Sequence, residues 1–362
     1  QVPKEDFTGK RLYEVMDLCL ECKGCKAECP SNVDMAKLKY EFLDHYHQAN
    51  GLPLRHRLFG GIERLNRLGC LFAPLSNAFV RSPLTRWLME LVGGVDRRRP
   101  LPEFAGTTFR DWFSMHEARG DGTRGEVVLF DDTFNNFNTP DVAIAAVCLL
   151  EQMDYRIILA NKRCCGRPMI SKGLLAQAKN NAAWNVEQLA GYAERGVSII
   201  GLEPSCLLTL RDEYPEFVRT PEAKNVAANS FLLEEFLLRE RDSGELTAAF
   251  QGESGKALLH GHCHQKALVG TVATVAALEW AGFDVSEVDS GCCGMAGSFG
   301  FEREHYDLSV VIGNRRLAPA VKAAGADVAI VAPGISCRQQ IDHLTGRKAM
   351  HPAELLWERL IK

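Results

Sequence analysis

Four cysteines near the start of the chain have a spacing that suits an inorganic cluster. Two, two and three residues separate them, and a proline follows the last one; they are Cys19, Cys22, Cys25 and Cys29. Short gaps let a tight loop turn successive thiolates toward one centre, and this run is typical of [4Fe–4S] binding, with the fourth cysteine reaching another cluster. Structural zinc sites more often pair cysteines that are well separated in sequence. The run therefore predicts iron–sulfur chemistry and the transfer of electrons.

A domain with two clusters needs a second run of cysteines, and the next cysteine in this chain is the isolated Cys70. The chain begins at Gln1, without an initiator methionine and without the pattern of a signal peptide. We therefore expect the partner run in a segment upstream of residue 1. Residues 1–60 would then be part of a ferredoxin-like unit. Closure of all four thiols on one cluster is the alternative.

Composition limits the other functions. The 362 residues are 46% hydrophobic and 24% charged, with a formal net charge of −4, which leaves no electrostatic footprint for nucleic acid. No apolar run reaches the roughly 18 residues of a membrane span. The 13 cysteines, without a secretory signal, favour metal ligation in a reducing compartment over disulfides. We expect a cytoplasmic protein, with peripheral contact at the inner membrane as a further option.

Residues 61–125 form a predicted helical linker, with short amphipathic stretches separated by prolines and glycines, such as RLNRLGCLFAPLSNAFV and LTRWLMELVGG. Their apolar side chains could form a face for docking on a membrane surface or a partner. They could also pack between two domains. We predict packing between domains for this segment.

From residue 126 the chain alternates strands and helices, and the pattern occurs twice. Glu151 and Glu279 each lie thirteen residues before a Cys-Cys pair, so the copies agree in detail. We predict two Rossmann-like α/β modules with parallel sheets, at residues 126–250 and 251–362, related by a pseudo-twofold axis. The predicted strands are Glu126–Phe130, Tyr155–Leu159 and Val197–Gly201, then Lys256–His260, Phe283–Val288 and Val328–Val331.

The cysteines of the second copy all follow predicted strands, where open α/β sheets bind their ligands. They are Cys263, Cys292, Cys293 and Cys337. Four thiols from three strand ends predict a second iron–sulfur site. Gly294 would allow the backbone to approach the cluster closely. His262 and His264 flank Cys263, and each is either a ligand or hydrogen-bond donor to the cluster, or a structural histidine.

The first copy keeps Cys164, Cys165 and Cys206, but Asp131 and Asp132 stand where its first cysteine would be. Three thiols and a carboxylate could hold a cluster with an exchangeable iron. Alternatively, this copy is a vestigial half that packs around the centre of the second, which is what we expect. A redox-active dithiol at Cys164 and Cys165 is a third option, although a disulfide between adjacent residues is strained.

The longer motifs resemble a known family. Two Cys-Cys-Gly copies behind a ferredoxin-type loop are similar to the cysteine-rich CCG proteins, which include one chain of heterodisulfide reductase, the small subunit of anaerobic glycerol-3-phosphate dehydrogenase and the glycolate oxidase iron–sulfur subunit. The strings HGHCHQKALVG, GCCGMAGSFGFE and PGISCRQQI resemble most the carboxyl-terminal half of fused FAD-linked D-2-hydroxyacid dehydrogenases, of the D-lactate or D-2-hydroxyglutarate type. The resemblance covers essentially the whole chain.

This resemblance implies an activity and its partners. Electrons from a 2-hydroxyacid would pass through FAD, bound in an upstream domain or a separate subunit, and then through the clusters to a quinone or another carrier. Cys206 and Cys337 each lack the second cysteine of the family's terminal Cys-x-x-Cys, so we expect an ordinary [4Fe–4S] cluster in the second copy. The alternatives are catalysis of thiol–disulfide exchange, as in heterodisulfide reductase, and a zinc-stabilised binding or redox-sensing module.

Overall fold

The amino-terminal unit is helical and carries the cysteine run in a loop. A computed structural model describes residues 8–244, 246, 250 and 254–361. Asp34 accepts hydrogen bonds from two backbone N–H groups of the first turn of the long third helix, which fixes where that helix begins. The helices of this unit are α1 (Lys10–Asp17), α2 (Gly24–Glu28), α3 (Met35–Asn50) and α4 (Leu54–Gly60).

The segment that follows consists of short helices with an exposed apolar face. In the third of them, leucines, a tryptophan and a valine recur at helical spacing and all point to solvent, and no residue of that helix is buried. None of the helices in the described ranges is long and apolar enough to cross a bilayer. The helices are α5 (Ile62–Leu71), α6 (Ala73–Arg81), α7 (Pro83–Gly93) and α8 (Phe109–Met115).

Most large apolar side chains of this segment do not pack against the rest of the described chain, so the predicted packing between domains stays a prediction. Small residues such as Gly69 and Ala73 face the rest of the protein, whereas the larger ones face outward. We call this outward set, together with one leucine of α4, the apolar face. Its members, each at least 38% exposed, are Leu58, Leu65, Leu68, Leu71, Phe72, Leu75, Phe79, Leu84, Trp87, Leu88, Leu91 and Val92.

The first α/β module has a parallel sheet in the order β2-β1-β3-β4. Its central strands are buried on both faces, as their continuous apolar runs require. The strands are β1 (Glu126–Phe130), β2 (Arg156–Ile158), β3 (Ser198–Gly201) and β4 (Ser230–Leu232). The helices are α9 (Thr133–Phe137), α10 (Pro140–Gln152), α11 (Arg167–Ile170), α12 (Leu175–Glu194), α13 (Pro204–Asp212), α14 (Tyr214–Val218), α15 (Pro221–Ala228) and α16 (Leu233–Asp242).

The second module repeats this arrangement with the parallel order β6-β5-β7. A single parallel bridge from Val331 to Met350 stands where the first module has β4. The strands are β5 (Gly255–Leu259), β6 (Phe283–Glu287) and β7 (Val328–Val331). The helices are α17 (Cys263–Leu268), α18 (Val272–Trp280), α19 (Tyr306–Arg315), α20 (Leu317–Ala323), α21 (Ile335–Thr345) and α22 (Pro352–Arg359). The predicted α/β class is confirmed.

The two modules share one hydrophobic core, because helices of each module pack against helices of the other. The second helix of each module packs against the last helix of the other, so α10 contacts α22 and α18 contacts α16. Leu150, Phe236, Leu278 and Leu356 belong to the same buried cluster. This reciprocal packing is what a pseudo-twofold axis between the copies produces.

A buried lysine fixes the cysteine loop to the first module. Lys23 lies between the second and third cysteines of the run, and its ammonium group is 2.5 Å from Asp212 and 2.6 Å from Glu213. The side chain is 1% exposed. Glu213 also pairs with Arg167, so the carboxylates at the end of α13 bind cations from both sides.

We predict that Lys23→Met strongly destabilises the protein. Removing one partner of a buried charge pair leaves the other uncompensated, and the expected loss in the free energy of unfolding is about 3 kcal/mol. Chemical denaturation measures it. Lys10→Met is the control, because Lys10 and Glu14 form an exposed pair and its loss should have little effect. Equal losses in the two variants would contradict this assignment.

Candidate metal centre

The structure brings the four cysteines of the second module together. The four thiols form a row in the order Cys263, Cys292, Cys293 and Cys337. Each thiol lies within hydrogen-bonding reach of the next one in the row. These residues follow β5, β6 and β7, so the shared edge of the sheet explains why side chains far apart in sequence meet. The predicted grouping of these four thiols agrees with the geometry.

These thiols suit a metal centre better than the role of free cysteines. The neighbouring Cys292 thiol and burial raise the pKa of Cys263 well above its ordinary value. The hydrogen bond to Cys293 lowers the pKa of Cys337, but burial outweighs it and the pKa is raised. Adjacent buried thiols lose their protons when they bind a metal cation, because the thiolate is the ligand. The donor set of four sulfurs from one chain fits an iron–sulfur cluster.

Gly294 has a different role from the one predicted. Its φ is +93°, and a Cβ there would come within 2.5 Å of the Ser309 carbonyl oxygen and 3.1 Å of Ile312. The neighbours that require a glycine are therefore on α19 and not at the thiols. The Gly294 N–H group donates toward the Cys292 sulfur at 3.4 Å, so the turn also orients that side chain.

His262 and His264 make structural hydrogen bonds. The His262 Nδ1 accepts a bond from the His264 backbone N–H, so that His262 caps α17. The His264 Nε2 lies 2.8 Å from the Glu21 carbonyl oxygen, within the cysteine loop. Burial lowers the pKa of His262 to about 3, which keeps that ring neutral. His262 therefore caps a helix and His264 joins the loop to α17, and a further role of either ring toward the cluster stays a prediction.

Within the cysteine loop, Cys22 is the thiol that lies between its neighbours. It is close enough to both Cys19 and Cys25 to interact with each electrostatically, and burial together with Cys263 of the second module raises its pKa. The Cys25 sulfur accepts a hydrogen bond from the Met35 backbone N–H at 3.3 Å. The Cys29 thiol instead faces the backbone N–H groups of residues 31–33, with Val33 first among them, and these bonds lower its pKa. Whether Cys29 serves another cluster, or shares one cluster with the other three thiols, stays a prediction.

A cavity of about 190 Å³ lies where the loop and both modules meet. Helix α2 contacts α17 at this junction, which places the two thiol sets next to each other. Cysteines from all three units line the cavity: Cys19, Cys206, Cys263, Cys292 and Cys293. One region of the protein therefore holds thiols from distant parts of the chain.

The first module also gathers its three thiols, without a fourth cysteine among the described residues nearby. The Cys165 thiol lies within hydrogen-bonding reach of both Cys164 and Cys206. All three side chains are almost fully buried. The Asp132 carboxylate caps α9 through the backbone N–H groups of its first turn. Burial, together with Glu203, raises the pKa of Asp132 to about 6.

Asp131 is engaged as well, because both of its oxygens accept bonds from Arg110. Both carboxylates are therefore engaged by other groups, and the expectation that this copy is a vestigial half stays a prediction.

Two residues near the centre were missed in the sequence. Glu203, in the first module, accepts a hydrogen bond from the Ile335 backbone N–H at 2.8 Å, two residues before Cys337. His260, which follows β5, has a ring nitrogen within 4.8 Å of the Cys293 and Cys337 sulfurs. The signal for His260 was its place at the end of a strand, at the start of the alternating His-Gly-His-Cys-His string.

A charged network closes one side of the cavity. The His305 ring lies 3.0 Å from Asp17 on α1 and 2.9 Å from Glu302, and Glu302 also pairs with Lys172 at 2.6 Å. Burial lowers the pKa of His305, but the bonds to the two carboxylates outweigh it and raise the pKa to about 9. The protonated ring therefore joins the amino-terminal unit to the second module.

Paired α/β modules with thiols at their strand ends define the class of cysteine-rich, metal-binding redox modules. Residues 132–211 and 260–342 match the family model described as the cysteine-rich domain, CCG. Both α/β modules belong to the CCG cysteine-rich domain family, which confirms the resemblance seen in the sequence.

Similar proteins are dehydrogenase components. The chain is 29% identical over 310 residues to one subunit of the anaerobic glycerol-3-phosphate dehydrogenase of Escherichia coli K12, covering 85% of this chain and 77% of that protein. It is 28% identical over 369 residues to the D-2-hydroxyglutarate dehydrogenase of Pseudomonas putida, covering 98% of this chain but only 35% of that protein. The lactate utilization protein A of Macrococcus caseolyticus is 26% identical, covering 64% of this chain and 96% of that protein. These relatives support an oxidoreductase role.

We predict that the His305 contact weakens as the pH rises. A raised pKa in the folded state means that the contribution to stability is complete below about pH 6.5 and is lost as the pH rises to about 9. His305→Gln should flatten this part of the dependence of unfolding free energy on pH, measured by denaturation at several pH values. The exposed His45→Gln is the control. Wild-type and His305→Gln curves of the same slope would refute the assignment.

Proposed function

We propose that this chain is the iron–sulfur electron-transfer portion of an FAD-dependent D-2-hydroxyacid dehydrogenase. The observation that carries the proposal is the packing of α2, in the cysteine loop, against α17, which begins at Cys263 of the second module. Cys19 of the loop and Cys263 also line the same cavity. [4Fe–4S] clusters held by such sets accept and release single electrons. Cys19, Cys22 and Cys25 would hold one, and the thiols of the second module would hold another.

The chain's own residues set the relation between the two sites. Lys23 fixes the loop to the first module, and the His264 ring fixes it to α17 through the Glu21 carbonyl oxygen. Lys39 adds a further bond, from its ammonium group to the Cys19 carbonyl oxygen at 2.7 Å. A rigid junction of this kind keeps two redox centres at a fixed separation.

The proposed flavin, substrate and acceptor are inferred from the similar proteins. The flavin would be bound by a domain of the same polypeptide or by a separate subunit, which would pass electrons to the loop site. The acid would be D-lactate or D-2-hydroxyglutarate, and the final acceptor a quinone or another carrier. Catalysis of thiol–disulfide exchange in the first module has less support, because Cys164 and Cys165 are each only 2% exposed.

Metal analysis of the anaerobically purified protein tests the proposal. We expect iron and acid-labile sulfide in the wild-type chain, and a loss of at least half of each in Cys292→Ser. That variant removes a ligand of the site with four thiols, whereas Cys19, Cys22 and Cys25 supply only three ligands to the loop site. Cys70→Ser is the control, since the Cys70 thiol bonds the Phe137 carbonyl oxygen away from both sets. Zinc without iron, or full iron in Cys292→Ser, would refute the assignment.

We further propose that the apolar face lies on a membrane with anionic lipids. Residues 54–93 contain six arginines and two glutamates, a net charge of +4, whereas the whole chain carries a net charge of −4. Arg57, Arg64 and Arg67 are exposed and form no ion pair within the described residues. Short helices with leucine and tryptophan on the outward side and arginines beside them suit an interfacial position. Such a position would bring the chain to a lipid-soluble acceptor such as a quinone.

Flotation with vesicles tests this surface. We expect the wild-type chain to bind vesicles of phosphatidylglycerol and phosphatidylethanolamine more strongly than phosphatidylcholine, and less strongly in high salt. Leu75→Glu and Leu91→Glu should each reduce partitioning by about thirtyfold, since a buried leucine contributes about 2 kcal/mol and about 1.4 kcal/mol is a factor of ten. Val272→Glu is the matched control, because Val272 is 78% exposed but belongs to the second module. Dimerisation through the face, or no vesicle binding, would refute the proposal.

A further inference from the structure

His260 is a buried histidine of the second module with an unpartnered ring nitrogen. The side chain is 1% exposed, and its backbone N–H donates to the Val331 carbonyl oxygen at 2.8 Å, which extends the pairing of β5 with β7. The Nδ1 atom lies 2.9 Å from the Ser290 hydroxyl oxygen. The Nε2 atom has no hydrogen-bond partner among the residues that the structure describes. Leaving such a buried atom unpaired is unfavourable, because its hydration is lost without a replacement.

The His260 ring lies next to the candidate metal centre of the second module. One ring nitrogen of His260 and the sulfurs of Cys293 and Cys337 all lie within 4.8 Å of one another. Because Ser290 holds Nδ1, Nε2 is the atom available to face these sulfurs. The buried His264 and His351 differ, since each places its Nε2 on a backbone carbonyl oxygen elsewhere in the protein.

We propose that His260 donates an Nε2–H hydrogen bond to a sulfur of the centre in the second module and thereby raises its reduction potential. The proposal rests on the iron–sulfur function proposed above. Four thiols already complete the ligand set of a cubane cluster, so the imidazole has the role of a donor and not of a ligand. A donor to sulfur stabilises the more negative, reduced state.

Ser290 sets the tautomer in this arrangement. In the proposed arrangement the Ser290 hydroxyl, 2.9 Å from Nδ1, donates to that nitrogen, so that the proton of the ring stays on Nε2. The other acceptor near this hydroxyl, the Val288 carbonyl oxygen, is farther away at 3.5 Å. The Lys266 ammonium group bonds the Ser290 carbonyl oxygen and holds the turn that carries the hydroxyl. His260 is thus a positioning and tuning residue, supported by a bond that the sequence gives no reason to expect.

Redox titration followed by electron paramagnetic resonance tests the proposal. We expect His260→Leu to lower the midpoint potential of one centre while iron and sulfide per chain stay unchanged. His260→Gln, whose amide can donate from a similar position, should lie closer to the wild type, and Ser290→Ala should fall between the two. His343→Leu is the control, because the His343 ring bonds the Tyr306 hydroxyl.

A second measurement keeps the test independent of how well the leucine variant folds. In wild-type protein labelled with ¹⁵N-histidine, the reduced centre should show a weak nitrogen coupling that is absent from His260→Gln. An unchanged midpoint in His260→Leu would overturn the proposal, and so would a loss of iron in both His260 variants, which would make the residue a ligand. A wild-type chain without iron would instead refute the electron-transfer function itself.

Discussion

The structure depends on the convergence of thiols at the ends of parallel strands. A single loop can present only a few sulfurs to one centre, whereas Cys263, Cys293 and Cys337 follow three different strands that end at the same edge. These cysteines can meet although they are far apart in sequence, because the sheet register fixes the strand ends relative to one another. Burial of these thiols raises the pKa of Cys263 and Cys337, so the site favours a bound cation over free thiolates.

The same junction requires the cysteine loop to stay in place. Short loops that carry metal ligands have little core of their own, so long-range bonds must hold them. Here Lys23 is paired with carboxylates at the end of α13, and the Glu21 carbonyl oxygen is bonded to His264. These two contacts connect the loop to different modules. The distance and orientation between the loop thiols and those of the second module therefore depend on all three units together: the amino-terminal unit and both α/β modules.

Much of the fold was readable because the modules repeat. Apolar strands followed by cysteines predict parallel strands with a common edge, and all six predicted strands are present. Strand β4 was missed because three residues carry no periodic signal, and its counterpart in the second module is reduced to one bridge at Met350. The site was predicted less completely, because hydrogen-bond partners depend on tertiary contacts that no local pattern records. His262 and His264 were candidates because they flank a cysteine, whereas the ring with the free nitrogen belongs to His260.

The first module supports the second whatever the chemistry of its own three thiols. Its helices α10 and α16 bury the apolar sides of α22 and α18, so the second module would expose its core without them. Glu203 accepts a hydrogen bond from the Ile335 N–H group, two residues before Cys337, and the buried His351 ring of the second module bonds the Leu202 carbonyl oxygen. Removal of the first module would therefore remove contacts that position the four thiols of the second.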